Sequence, residues 1–324
     1  MNEFAVTFTE RKTAKLLPVE DNLDDIGPNE VAGHTLATVI SAGTELNGGY
    51  LGDNFPKKSG YAATFKVEKV GDKVENIKPG DVVFSMGNHA TIQRKPAFQV
   101  IPVPEGLAPD ISVFARMMGV SMTTLTTTVA RPPAKILITG LGLVGHLAAK
   151  NFQGCGYEVY ASDPVESRRQ IASETGILNV LDSVPGEGSD LAGQFQLAIE
   201  CSGHEQALLD AAAAVQKRAE VVCIATPWRK FTDLPLHDLH RLIFFNYVVI
   251  RSGWEWELPR QPEEFRTNSV FENLTGALKW LSEGRVNVDG IYTKYDPERC
   301  QQAYQDLLHK KTDRLAVVFD WSTL

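Results

Sequence analysis

The residues in this sequence best placed for chemistry are Gly140, Gly142 and Gly145, spaced as Gly-x-Gly-x-x-Gly in GLGLVG. Alone the pattern says little, because it fixes only three positions. Its surroundings sharpen it: the apolar run KILIT reads as a buried strand before it, and Val144, Leu147, Ala148 and Phe152 follow at helical spacing. The glycines therefore occupy a strand-to-helix turn. There Gly140 permits the tight bend, Gly142 lets a pyrophosphate approach the backbone, and Gly145 lets helix and strand pack closely. Leu143 and Val144 open the helix, whose unpaired amides and partial positive charge suit phosphate. The next strand, EVYAS, ends at Asp163, about 20 residues on, where a carboxylate accepts hydrogen bonds from ribose hydroxyls and repels a 2′-phosphate. NAD(H) is therefore expected over NADP(H), although Arg168 and Arg169 lie close enough in sequence to contact an adenine face or a phosphate. Later strand ends add Ser202 and Thr226 as candidate cofactor contacts, since ligands of open α/β sheets bind outside the carboxyl ends of the strands. Both also read as ordinary loop residues, and a turn of this kind can serve an α/β fold that binds something else or nothing.

Two kinds of segment surround the turn. Up to about residue 115 the chain offers short apolar or alternating runs broken by turn residues (AVTF, TLATVI, YAATFKVEKVG, DVVFSM, FQVIPVP), the grammar of a small antiparallel barrel or half-barrel. Beyond it, KILIT, EVYAS, NVLDS, QLAIE, EVVCIA and NYVVI alternate with helical stretches such as ALLDAAAA, which predicts a parallel, doubly wound sheet. A further amphipathic helix around FENLTGALKWLSEG leads through DPERCQQAYQDLLHKK to a closing strand LAVVFDW, and this tail reads as returning to the first domain. The fold class is α/β, in two domains, which suits 324 residues at 43% hydrophobic content.

The 40 acidic and 32 basic side chains give a net charge of −8 without long like-charge runs, so no nucleic-acid footprint is present. No segment approaches the roughly 20 apolar residues that span a bilayer. MNEFAVTFTERK mixes acid and base within twelve residues and does not read as a signal peptide. Cys155, Cys201, Cys223 and Cys300 lie far apart with no Cys-x-x-Cys pair, which fits a reducing cytoplasm.

With these elements in order, the chain resembles the medium-chain dehydrogenase/reductase superfamily, which includes the zinc alcohol and polyol dehydrogenases. The resemblance covers nearly the whole chain and rests on VISAGTELNGGYLG, SGYAATFKVEKVGDKVENIKPGDVVF, ILITGLGLVGHLAAK and LAVVFDW. Its Ser-Ala-Gly-Thr-Glu stretch is most similar to the branch holding bacteriochlorophyllide and sugar or polyol dehydrogenase-like proteins. It implies a GroES-like β-rich catalytic domain over residues 1–115, a Rossmann cofactor domain over 116–265, and a C-terminal segment, 266–324, rejoining the catalytic domain. Zinc members of the family hold their metal with a cysteine, a His-Glu pair and a later Cys or Glu. The matching positions here are Ala42, Tyr61-Ala62 and Arg116, and the cysteine cluster of the structural zinc lobe is missing. Zinc needs about three donors among Cys, His and carboxylate, so neither a catalytic nor a structural zinc is expected.

The same resemblance puts Thr44 where the family places the hydroxyl that hydrogen-bonds the substrate oxygen, and Asn47 where it places an outer relay histidine. Tyr61, Thr44, His89 and Arg116 are the candidates it brings near the nicotinamide, to meet charge that builds on oxygen during hydride transfer. Each has a plainer reading: Tyr61 as a packed tyrosine with a satisfied hydroxyl, His89 as a solvated loop histidine, Arg116 as half of an ion pair, Thr44 as a turn residue. His237 and His240 share a helix face but have no third ligand in view. Trp254 and Trp256 follow the last sheet strand, where they could wall a substrate pocket, cover a nicotinamide or pack a subunit interface.

The expected activity is thus NAD(H)-dependent, zinc-independent hydride transfer to or from a hydroxyl or carbonyl of a small polar, sugar- or polyol-like substrate. A zinc-free enoyl or quinone reductase and a non-catalytic dinucleotide-binding sensor or subunit are the competing readings. The resemblance also implies a homodimer or homotetramer, and neither nucleic acid nor membrane is an expected partner.

Overall fold

In this computed structural model the described residues are 3–24 and 26–324. The strands of the first part are β1 (Glu3–Glu10), β2 (Thr13–Val19), β3 (Glu30–Val39), β4 (Lys57–Lys58), β5 (Ala63–Val70), β6 (Val82–Ser85), β7 (Ile92–Pro96) and β8 (Val100–Pro102). The middle of the chain supplies β9 (Lys135–Thr139), β10 (Glu158–Ser162), β11 (Asn179–Leu181), β12 (Phe195–Glu200), β13 (Val215–Cys223) and β14 (Val249–Ser252). Two strands close it, β15 (Tyr292–Tyr295) and β16 (Ala316–Asp320). The helices, in order, are α1 (Ala42–Glu45), α2 (Pro109–Ser112), α3 (Ala115–Thr127), α4 (Leu143–Gly154), α5 (Glu166–Glu174), α6 (Glu205–Ala214), α7 (Leu236–Asn246), α8 (Val270–Ser282) and α9 (Cys300–Leu308).

The chain divides into two compact units. The first holds residues 1–116, 274–284 and 291–324; the second holds 117–273 and 285–290. In the first unit β3 is the organising strand. One of its edges takes β5; the other is shared by β7 along Glu30–His34 and by β16 along Ala37–Val39, all antiparallel. The strand within LAVVFDW is β16, and it pairs antiparallel with β3. A second sheet, in the order β2-β1-β4, approaches the first through an isolated bridge between Ala5 and Ala90. The alternating strands send Val31, Phe65, Val67 and Val83 into one core and Val6, Phe8, Ile40 and Phe319 into another, where Tyr50 and Tyr304 stack at 5.3 Å. Each such fully buried side chain contributes about 1.5–3 kcal/mol.

The second unit carries a parallel sheet in the order β11-β10-β9-β12-β13-β14. The order reverses between β9 and β12, the switch point where α/β sheets bind ligands. Both faces of β9 are buried: Ile136 and Ile138 pack with Ala148 and Phe152 of α4, while Leu137 packs with Ala211 and Ala212 of α6. Double-sided burial explains why these strands read as unbroken apolar runs. The run NYVVI differs in one respect. Asn246 still belongs to α7 and Tyr247 ends that helix at φ 56, so the strand begins only at Val249.

Candidate active site

The glycine turn leaves β9 and enters α4. Gly140 has φ +88, and a Cβ there would lie 2.9 Å from the Ser202 backbone. At Gly145 a Cβ would stand 1.8 Å from the Gly140 carbonyl oxygen and 3.1 Å from the Cys201 side chain, so only glycine lets helix and strand approach this closely. At Gly142, the residue before α4, a Cβ would meet nothing within 4 Å. That open space lies beside a helix N-terminus whose first amides have no intrahelical acceptor, a cradle that fits a pyrophosphate. Leu143 is buried and Val144 half-buried, so these two contribute backbone rather than side chain to the turn.

Asp163 follows β10 and is only 2% exposed. Its Oδ2 accepts from Leu141 N in the glycine turn at 2.8 Å and from Arg168 Nη1 at 3.2 Å, and its Oδ1 accepts from Val165 N at 2.8 Å. The carboxylate thus ties the glycine turn to the end of β10 before any ribose is considered. Arg169 is turned back onto the Asp163 and Pro164 carbonyls, each at 2.9 Å. On the other side of the turn Glu200, at the end of β12, accepts from Ser202 N at 2.6 Å, from Gly203 N at 3.0 Å, and from the Ser202 hydroxyl. Burial pushes the Glu200 carboxyl up, against the pull of these donors. Ser202 and Thr226 are exposed, and a Cβ at Gly203 would lie 3.5 Å from the Thr226 carbonyl oxygen, so both loops stand at the carboxyl edge of the sheet. Gly140, Gly142, Gly145, Asp163, Arg168 and Ser202 lie around one turn, with Thr226 one loop further along.

The first unit gathers a second set. Ser41 caps α1, and Ala42, Thr44 and Glu45 lie on it. The Tyr61 hydroxyl, just before β5, donates to Ser41 Oγ and is also hydrogen-bonded to Thr44. The buried Arg116 guanidinium sits 4.8 Å from the centre of the Tyr61 ring. Burial raises the Tyr61 pKa above its ordinary value; the Arg116 charge and the Ser41 and Thr44 hydrogen bonds only partly oppose it. At neutral pH the group is a protonated phenol within a small cluster of hydroxyls. Thr44, Tyr61 and Arg116 are therefore brought together.

His89 is placed differently from the solvated loop histidine that its neighbour Asn88 suggests. It is fully buried, its Nε2 lies 3.0 Å from Glu45 Oε2, and its ring stands edge-on to Phe319 at 5.1 Å. Glu45, which the motif reading left without a role, also accepts from Ser41 N at 2.8 Å and from the Tyr304 hydroxyl at 2.5 Å. Asn47, at the relay position, donates to the Gly43 carbonyl at 2.7 Å. His237 and His240 are exposed on α7. Trp254 is 65% exposed, and Trp256 lies against Arg260 at 5.3 Å.

Ala42, Tyr61-Ala62 and Arg116 do not fit zinc. Alanine offers no donor, a raised phenol is a poor one, and a guanidinium repels a dication. Among the described residues no group of three or more His, Cys, Asp or Glu is arranged to hold a metal ion.

The first unit is a GroES-like β domain; in the second, a 3-2-1-4-5-6 parallel sheet with a glycine turn at its switch point is the architecture of a dinucleotide-binding fold. A family model described as zinc-binding dehydrogenase matches residues 140–267, and no curated protein matches the chain. Similar solved structures include 2R,3R-butanediol dehydrogenase from Bacillus subtilis, at 17% identity and TM-score 0.78, covering 98% of this chain and 99% of that one. A putative zinc-binding dehydrogenase from Sinorhizobium meliloti 1021 bound to NADP gives 15% identity and 0.80, covering 99% of each. Acetophenone reductase from Geotrichum candidum in complex with NAD gives 15% and 0.78, covering 100% of this chain and 98% of that one. These structures share the fold of this chain over nearly its whole length, and the family-model match lies within its second unit.

Proposed function

We propose that the protein is an NAD(H)-dependent, zinc-independent oxidoreductase acting on a hydroxyl or carbonyl of a small polar, sugar- or polyol-like substrate. The observation that carries the reading is the Tyr61 phenol, bonded to Ser41 and Thr44 beneath the Arg116 guanidinium; the resemblance aligns Tyr61 and Arg116 with positions where zinc relatives keep metal ligands. A bound nicotinamide supplies or takes the hydride. Gly142 and the α4 amides hold the pyrophosphate, Asp163 with Arg168 and Ser202 shapes the adenosine side, and Tyr61 donates a proton to the developing alkoxide while Thr44 hydrogen-bonds it. Arg116 stabilises the phenolate left on Tyr61.

NAD(H) over NADP(H) rests on the Asp163 carboxylate, which opposes a 2′-phosphate. Pairing through the open edge of β14, beside exposed Ile243, Phe244 and Phe245 of α7, would give the homodimer or homotetramer. The four free thiols fit a cytoplasmic location.

The test is NADH and NADPH turnover on a panel of aldehydes, ketones, sugars, polyols and enones, with zinc content measured on the same sample. Carbonyl reduction that survives a chelator and falls at least about 100-fold in Tyr61→Phe is expected from loss of the proton donor. Stoichiometric zinc would overturn the mechanism. Turnover confined to enones would replace it with an enoyl or quinone reductase, and binding without turnover with a sensor.

A further inference from the structure

Glu45 is a buried carboxylate that the proposed reaction leaves without a task. Burying such a charge is costly unless its oxygens are filled, and an apolar side chain of similar volume would serve stability at least as well. Here three donors fill it from three distant parts of the chain: Ser41 N at 2.8 Å on Oε1, with the Tyr304 hydroxyl at 2.5 Å and His89 Nε2 at 3.0 Å on Oε2. The Ser41 bond closes the start of α1, a helix of one turn with no side-chain cap of its own. Ser41 is the residue whose Oγ accepts from the Tyr61 hydroxyl.

The other half of that hydrogen bond is seated on the same group. Tyr61 follows Gly60, which has φ +90, and a Cβ at Gly60 would lie 2.5 Å from His89 N and 2.7 Å from its ring. His89 N donates to the Ser59 carbonyl at 2.9 Å, and Ser59 N donates to the Val6 carbonyl at 3.0 Å, so the segment before Tyr61 lies flat against His89. Ser41 is thus located through Glu45, Tyr61 through His89, and Glu45 and His89 through each other.

We propose that the Glu45–His89 pair is a buried brace that sets the geometry of the Tyr61–Ser41 hydrogen bond. Both are positioning residues, acting on the reaction through Tyr61. This moves His89 from candidate acid or base to support, and it rests on the reading of Tyr61 as proton donor. An amide at position 45 has two N–H donors and one acceptor, and it would face three donors. To keep Ser41 N on its oxygen, the amide would have to turn its N–H groups onto Tyr304 and His89 Nε2, reversing both to acceptors and moving the His89 proton to Nδ1, which is buried with no acceptor. The set therefore shifts, and Ser41 loses its fixed reference.

The experiment compares wild-type protein, Glu45→Gln and a control, Thr38→Val. The control breaks the buried bond from Trp321 Nε1 to Thr38 Oγ1, 2.9 Å, in the same unit. Two readouts are taken on each: kcat and KM for NADH and substrate, and the ring-carbon NMR resonance of Tyr61, assigned by its absence in Tyr61→Phe. Glu45→Gln is expected to lower kcat about tenfold with KM for NADH unchanged, from a disturbed hydrogen bond of ordinary strength. It should also move the Tyr61 resonance and raise its alkaline titration midpoint, since the phenolate loses the Ser41 donor. Thr38→Val should melt earlier but move neither the Tyr61 resonance nor kcat. A folded Glu45→Gln protein whose Tyr61 resonance and titration match wild type overturns the brace, as does an equal loss of kcat in both variants. If the wild type turns over nothing, the proposed function fails, and the Tyr61 resonance alone decides the brace.

Discussion

Acidification from about pH 7.5 to about pH 5 should destabilise the second unit by ~2 kcal/mol through one residue, His146. It lies on α4 immediately after the glycine turn and is fully buried. Its Nε2 faces Thr175 Oγ1 at 3.2 Å, and that hydroxyl already donates to the Ile171 carbonyl at 2.7 Å, so the imidazole carries its proton on Nε2. Nδ1 is buried with no partner. A second proton would place a charge on an atom that nothing accepts from, with Lys150 one turn away. Burial first, then the Lys150 charge, lowers the pKa from 6.5 to about 3. Because the folded pKa lies below the unfolded one, the unfolded chain binds the extra proton throughout this window. The contribution is full above 6.5 and is lost as pH falls toward 3. At about 1.4 kcal/mol per pH unit, the 1.5 or so units between 6.5 and pH 5 give ~2 kcal/mol. The assay is urea unfolding of wild type and His146→Leu at the two pH values. Groups other than His146 cancel in the comparison, so wild type should lose ~2 kcal/mol more than the variant. A difference that stays constant to within ~0.5 kcal/mol would refute the assignment of a neutral, unprotonatable His146.

Two further substitutions separate the architecture of the turn from its binding function. Gly145→Ala forces a Cβ to 1.8 Å from the Gly140 carbonyl oxygen, so it should cost more than about 3 kcal/mol in melting experiments and abolish NADH binding. Gly142→Ala meets nothing within 4 Å, so its stability should stay within about 1 kcal/mol while NADH affinity, measured by fluorescence, falls about tenfold or more. Asp163→Asn keeps an acceptor for only part of the set formed by Leu141 N, Val165 N and Arg168. Its melting temperature should drop even without cofactor, and the ratio of NADH to NADPH affinity should shift toward NADPH by about tenfold, near 1.4 kcal/mol. An unchanged ratio would remove Asp163 from cofactor selection and leave it as the tie it forms here.

Most of the fold was legible because burial imposes a period. The parallel strands are covered on both faces, so KILIT and QLAIE stand out as apolar runs, and the barrel strands alternate because one face is wet. What escaped lacks that pressure. The strand Lys57–Lys58 is two exposed charged residues, visible only through its pairing with Thr7 and Phe8. The helix Ala42–Glu45 is a single turn within a glycine-rich stretch, too short to show a period.

The site divides along the same line. The glycine turn was readable because its chemistry is local: the donors, the bend and the close packing all come from residues within one strand-to-helix connection. The hydroxyl cluster is not local. Glu45 and Tyr304 are 259 residues apart, Glu45 and His89 are 44 apart, and neither pair leaves a spacing that a sequence pattern could register. Even Asp163 was only half legible, because its place after EVYAS announces a ribose acceptor while its bonds to Leu141 and Val165 show that it first holds the turn together. A residue's position along the chain can therefore suggest what it offers a ligand. What it already gives to the protein depends on partners that only the folded chain brings within reach, and for Glu45 and His89 that second account changes the role assigned to them.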